Sequence, residues 1–270
     1  MTKSDAASVA RGVTVAIFKI EGTTPAIKGS GVWLGHSKYV ATCAHVVRDI
    51  SPDQLSVGIV DEPYSNTAGG NNVRVSEVGS LLSAKVVAIN YKSDVAILEL
   101  ETSPAESFNK AKVFGPKSDL PVYRTPESGV QIRKDFLNDV EDVLAVGYPL
   151  GERRIIFTKG SSSGLRFIDP NLGQDGLRIV LSMTANHGNS GGPLLDGEGK
   201  LVGLMSSIEL TSVEDQVCLQ PVLGRDGKQV ITNGIPQFRT VPCIQNAGLS
   251  AAVPAKFIAE LAAKHNLKID

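Results

Sequence analysis

A serine packed among three glycines is the part of this sequence best suited to chemistry: Asn186-His187-Gly188-Asn189-Ser190-Gly191-Gly192-Pro193-Leu194, where a strand pattern restarts. A serine hydroxyl alone is a poor nucleophile. It needs a base within hydrogen-bond reach, and the base needs a group that holds its tautomer and steadies its charged form. Of the four histidines, His36 falls in a turn, His187 is too near the serine to stand behind it, and His265 belongs to a terminal helical pattern. His45 remains, directly after the strand pattern of Val40-Ala41-Thr42-Cys43. Asp94 opens the apolar run Val95-Ala96-Ile97-Leu98, where a carboxylate can be partly buried and hydrogen-bonded. The glycines let a substrate approach closely and free the amides of Gly188 and Ser190 to converge on a developing oxyanion. The chemistry this predicts is acyl transfer. Taken singly, each residue has a bland explanation: a tight turn, a satisfied core histidine, a strand-initiating cap. Together, in this order, those explanations lose force.

Such side chains must be carried by a scaffold, and the rest of the chain indicates its kind. In 270 residues with 42% hydrophobic content, 27 Gly and 14 Pro accompany many short Val/Ile-rich runs, so the composition leans all-β. Strands are expected over 13–17, 32–34, 39–42, 84–90, 95–100, 143–148, 155–159, 177–182, 193–195, 201–206 and 217–222, with a surface loop over 61–72 and a connection between two halves within 114–140. Phe257, Ile258, Leu261 and Ala262 share one face of a single terminal helix.

The formal net charge of -1, from 27 basic and 28 acidic residues, gives no field toward nucleic acid or an anionic membrane, so neither is an expected partner. Among Cys43, Cys218 and Cys243 there is no CxxC spacing, so no metal and no cofactor are expected. Cys218 and Cys243 either bridge in an oxidising compartment or, more simply, stay as buried thiols. With neither the apolar stretch of a signal peptide nor the roughly 18 apolar residues of a membrane span, a cytoplasmic location is expected.

Four motifs in order resemble trypsin-like serine peptidases, and especially the HtrA branch: Thr42-x-Ala44-His45-Val46-Val47, Asp94-Val95-Ala96-Ile97-Leu98, Val146-Gly147-Tyr148-Pro149-Leu150-Gly151 and Gly188-Asn189-Ser190-Gly191-Gly192-Pro193-Leu194. The resemblance runs over about residues 12 to 265. It implies an all-β fold of two six-stranded antiparallel barrels with a short C-terminal helix. The N-terminal barrel (1–115) would carry His45 and Asp94, a connection would follow (116–140), the C-terminal barrel (141–253) would carry Ser190, and the helix would take 254–270. It further implies a serine endopeptidase with His45, Asp94 and Ser190 as its catalytic residues and the amides of Gly188 and Ser190 as its oxyanion hole, acting on protein or peptide substrates.

By the same resemblance Thr184, six residues before the nucleophile, floors the first specificity pocket, and the strand from Leu204 to Ile208, with Ser206, forms its wall. An uncharged floor disfavours Arg or Lys, because a buried cation without a partner is costly. Ile208 narrows the opening, so small or medium apolar side chains are expected. His187 reads as a cleft-edge residue that touches substrate or solvent. Secreted relatives carry Asp before the nucleophile to pair with a freed N-terminus, whereas Asn189 stands here, so that route of activation is not expected. HtrA relatives continue into a PDZ domain, and the chain ends after its helix, so gating of that sort is not expected either. The stretch from Glu209 to Ala247 is longer than in that branch and is a candidate for shaping access or for binding a regulatory partner; a homo-oligomer also fits the resemblance.

Two other classes compete with this reading. Gly188-x-Ser190-x-Gly192 satisfies the nucleophile-elbow pattern of α/β-hydrolases, but there a helix follows the serine and the order is Ser, acid, His. Here Pro193 and a strand pattern follow, and the one later histidine is His265. The other competitor is a catalytically silent or partner-gated relative that uses its cleft as a binding module; the presence of all three residue types speaks against it.

Overall fold

The β-branched runs close into two barrels in a computed structural model that describes residues 3–35, 37–60, 64–68, 71–75, 78–102, 129–133, 135–151, 155–222, 229–232 and 235–269. The chain starts with a helix, α1 (Lys3–Val13), and continues through β1 (Thr14–Glu21), β2 (Thr24–Trp33), β3 (Tyr39–Thr42), a one-turn helix α2 (Ala44–Val47), β4 (Leu55–Val60), β5 (Tyr64–Ala68), β6 (Asn71–Val75), β7 (Val78–Asn90) and β8 (Val95–Leu100). The first barrel closes in the order β1-β2-β3-β8-β7-β4. The second half comprises β9 (Asp142–Gly147), β10 (Ile156–Phe167), β11 (Leu177–Ser182), β12 (Pro193–Leu195), β13 (Leu201–Pro221), β14 (Ile231–Thr232), β15 (Ile235–Pro236) and β16 (Phe238–Pro254), followed by α3 (Lys256–Lys264). Its barrel closes as β10-β11-β16-β13-β12-β9, and neighbouring strands in both barrels are antiparallel.

Burial explains the composition of the central strands. β8 is apolar on both faces because it lies between β3 and β7 in the barrel wall and also under α3, so Ile97, Leu98 and Leu100 are all buried. Burying each such side chain stabilises the fold by about 1.5–3 kcal/mol before entropy is counted.

The two terminal helices cross over. α1 leads into β1 of the first barrel yet packs on the second, where Ala6 and Val9 sit over Gly199 and the Arg11 guanidinium lies 5.1 Å from the Phe157 ring centroid. α3 leaves the last strand of the second barrel and buries Phe257, Ile258, Leu261 and Ala262 against β7 and β8 of the first. Residues 129–133 stitch the pair further, bridging Leu34 to Val130 and Ile132 to Leu201. Relative movement of the barrels therefore has to break apolar contacts at both chain ends.

Three sequence expectations need correction. α1 was not anticipated, although Ala6, Val9, Ala10 and Val13 lie at the i, i+3, i+4, i+7 spacing of one helical face. The loop expected over 61–72 holds a two-stranded ribbon in which Tyr64 pairs with Val75 and Ala68 with Asn71; its Asn- and Gly-rich sequence carries no alternating apolar pattern to announce a strand. The strands expected separately over 201–206 and 217–222 are one strand, β13, whose ribbon with β16 occupies most of 209–247 and pairs Leu210 with Asn246 and Pro221 with Phe238. Register sets Cys218 opposite Val241, two positions from Cys243; the side chains of both cysteines lie outside the described residues. So do His36 and residues 103–128, which include much of the expected connection.

Tyr148 is fully buried at the junction of the barrels, and its hydroxyl has no hydrogen-bond partner among the described residues. An unsatisfied buried hydroxyl carries its whole desolvation cost. Tyr148→Phe is therefore expected to raise stability by about 1 kcal/mol, read from the urea midpoint. A clear fall in the midpoint would show that the hydroxyl is partnered.

Candidate active site

β3 ends at Thr42, and the chain turns at once into α2, which carries His45 with its side chain half-exposed. Asp94 arrives from the turn between β7 and β8. Asn90 organises that turn, its Oδ1 accepting the amides of Lys92 at 3.0 Å and Ser93 at 3.4 Å. Asp94 itself has φ +62°, a left-handed conformation that Asp tolerates better than most side chains. This geometry swings its carboxylate onto His45. The imidazole Nδ1 lies 2.9 Å from Oδ2 and 3.0 Å from Oδ1, and the His45 amide donates to Oδ1 at 3.0 Å. Ser206, from β13 in the second barrel, donates its hydroxyl to Oδ2 at 2.9 Å.

Burial pushes the Asp94 carboxyl up, but the hydrogen bonds and charge of His45, with the Ser206 hydroxyl, outweigh it and hold the group below its ordinary value. Asp94 thus stays ionised, so Nδ1 carries the proton it donates and Nε2 keeps a free lone pair. An imidazole held in this way can take a proton from a hydroxyl and bear the resulting charge.

Ser190 stands in a tight loop between Asn186 and β12. The Asn189 amide donates to the Asn186 carbonyl at 3.1 Å, and Gly188, third residue of this turn, has φ +97°, which is the type II arrangement that requires glycine there. The His187 carbonyl accepts the Leu150 amide at 2.5 Å, so the amide of Gly188, on the other edge of the same trans peptide, faces the opposite way. Among the described residues neither the Gly188 amide nor the Ser190 amide has an acceptor. Two unpaired donors beside a serine hydroxyl can hold a negative oxygen. The loop also lies directly against the first barrel: a Cβ on Gly191, where φ is +82°, would stand 2.1 Å from Thr42 Oγ1 and 2.2 Å from the Ser30 carbonyl oxygen.

The Ser190 hydroxyl donates to the Ser206 carbonyl at 3.2 Å, and no hydrogen bond joins it to His45 among the described residues. Ser206 therefore touches both halves of the site, its hydroxyl on Asp94 and its carbonyl on Ser190. Thr184 and His187 are exposed on the segment leading to the loop and make no side-chain hydrogen bond with these groups among the described residues. The Ile208 side chain lies outside the described residues. Sequence reasoning placed Ser206 in a pocket wall and missed its bond to Asp94; it passed over Ser30, although a serine between two glycines is itself a sign of close approach.

Cys43 Sγ and donor atoms of His45 and Asp94 all lie within 4.8 Å of one another, the one such mixed group among the described residues. Their chemistry is that of a hydrogen-bonded array. The thiol donates to the Met205 carbonyl at 3.3 Å, and burial, with the charge of Asp94 beside it, pushes it well above its ordinary value, so it remains a neutral thiol.

A family model described as the trypsin-like peptidase domain matches residues 29–204. Among curated proteins, the chloroplastic protease Do-like 5 of Arabidopsis thaliana is 31% identical over 191 residues, 69% of this chain and 48% of that protein. The serine protease Do-like HtrA of Bacillus subtilis is 32% identical over 145 residues, 51% of this chain and 28% of that protein. The chain thus spans about half or less of the length of the curated relatives it matches. A solved structure of the inactive form of Rv3671c from M. tuberculosis, a serine-to-alanine mutant, superposes with a TM-score of 0.55 at 17% identity, covering 97% of this chain and 90% of that one, a likeness of fold.

Proposed function

We propose, since the chain belongs to the trypsin-like peptidase family and its relatives place it with the HtrA-like serine proteases, that it is a serine endopeptidase in which His45, Asp94 and Ser190 form the catalytic triad. The observation that carries this reading is Ser206, whose hydroxyl bonds the carboxylate that holds the His45 imidazole and whose carbonyl accepts the hydroxyl of Ser190, itself beside two acceptor-free amides.

In the reaction Ser190 Oγ attacks the peptide carbonyl carbon while His45 Nε2 takes the hydroxyl proton. The carbonyl oxygen becomes an oxyanion held by the amides of Gly188 and Ser190, and Asp94 stabilises the imidazolium. His45 then gives the proton to the leaving amine, and water, activated by His45 in its turn, releases the acyl group from Ser190. The hydroxyl must first leave the Ser206 carbonyl. A substrate N–H that pairs with this carbonyl would displace it toward His45, tying nucleophile release to substrate binding.

For the first specificity pocket we propose small or medium apolar side chains. By the family resemblance Thr184, exposed on the segment leading to the loop, takes the floor position, where an Arg or Lys side chain would find no carboxylate to pair with. Protein or peptide substrates follow from the family.

The test is labelling of the purified protein with a fluorophosphonate, located by peptide mass spectrometry. Label on Ser190 is the expected result. A folded protein that takes no label there would overturn the assignment.

A further inference from the structure

The loop that bears the two free amides is held by one side chain of the opposite barrel. Ser30, in β2, is fully buried, and each of its polar groups is engaged. Its amide donates to the Ser190 carbonyl at 2.8 Å, and its hydroxyl donates to the Gly188 carbonyl at 2.7 Å. The same hydroxyl accepts the Tyr148 amide at 2.9 Å, while its own carbonyl accepts the Thr42 hydroxyl at 2.7 Å. Room for it is made by glycines: a Cβ on Gly147 would stand 2.8 Å from Ser30 Oγ, and one on Gly192 3.2 Å from Ser30 Cβ.

We propose that Ser30 is a positioning residue that sets the oxyanion-binding conformation of the Ser190 loop; this rests on the peptidase reading above. The two carbonyls it holds belong to the two residues whose amides face the oxyanion. Through the Gly188 carbonyl it fixes the peptide after Gly188. Through the Tyr148 amide it anchors the segment whose Leu150 amide holds the His187 carbonyl, and so the peptide before Gly188. One hydroxyl thereby orients both peptide planes around a glycine that is otherwise free to rotate. Without it, a partly buried carbonyl and a buried amide lose their partner, and the turn can exchange type II for type I, which rotates the Gly188 amide away from the oxyanion position.

The experiment compares Ser30→Ala, Ser30→Cys and Thr42→Val with wild type, using the concentration dependence of fluorophosphonate labelling. Thr42→Val also removes a buried hydrogen bond at Ser30, but leaves the hydroxyl link to Gly188 intact. Ser30→Ala is expected to slow the limiting labelling rate by about tenfold or more, with the half-saturating probe concentration little changed. The downfield proton resonance of His45 Nδ1–H should persist, which a general loosening of the site would abolish. Ser30→Cys, retaining a weak donor, should fall between, and supplies the reading if the alanine variant does not fold. Thr42→Val should label like wild type. Labelling of Ser30→Ala at the wild-type rate overturns the proposal, as does equal slowing by Thr42→Val. Wild type that never labels overturns the peptidase reading, and this role with it.

Discussion

Replacing Ser190 by Ala is expected to lower kcat for peptide hydrolysis by about a million-fold, the loss typical of removing the nucleophile from such a triad. The size follows from the division of labour. His45 and Asp94 can accept and stabilise a proton, but without the hydroxyl no covalent acyl intermediate forms and their basicity has no object. The amides of Gly188 and Ser190 survive the substitution, so weak water-dependent hydrolysis about a thousand-fold above background should remain. Folding should scarcely change. The side chain makes one hydrogen bond, to the Ser206 carbonyl, worth about 1 kcal/mol, whereas the backbone bond from Ser30 to the Ser190 carbonyl is kept. Single-turnover kinetics on a quenched-fluorescent peptide measures the first effect and urea unfolding the second. Turnover equal to wild type would remove Ser190 from the mechanism.

What could be read from the sequence, and what could not, divides along the range of the interactions. Asp94 before an apolar run, His45 after a strand and glycines around Ser190 are local patterns, and each reflects a local need: a turn, a strand end, a close approach. The two barrels were implied by the family resemblance, and the short alternating runs agree with them. Ser30 was not legible as a site residue, because its hydroxyl acts on Gly188, 158 positions away in the chain. The role of Ser206 toward Asp94 spans 112 positions and was hidden for the same reason. α1 failed differently: its small Ala6 and Ala10 give a weak apolar signal, and its partner surface, around Gly199, belongs to the far barrel. β13 was split in two because Glu214, Asp215 and Gln216 interrupt the apolar pattern, where the ladder also shifts register between Ser212 and Val217.

Asp94→Asn tests the orientation of the base, and its expected cost is a fall in kcat of about ten-thousand-fold near neutral pH. Asn suits the experiment because it fits the left-handed backbone of position 94 and keeps the side chain's shape. Its amide can donate to His45 Nδ1, which forces the imidazole proton onto Nε2, the atom that must be bare to accept from Ser190. The hydroxyl of Ser206 loses its charged acceptor at the same time. Stability gives an independent reading. The folded Asp94 carboxyl lies below its unfolded value, so the unfolded chain binds the proton first as pH falls. Its contribution is complete above the ordinary carboxyl value of about 4 and disappears as pH drops through the lower folded value. The contribution of the Asp94 carboxylate to the stability difference between wild type and Asp94→Asn should therefore shrink as pH drops from about 4 into strong acid. A difference that stayed the same as pH fell through the acid range would show that the Asp94 carboxyl is not held below its ordinary value in the folded protein.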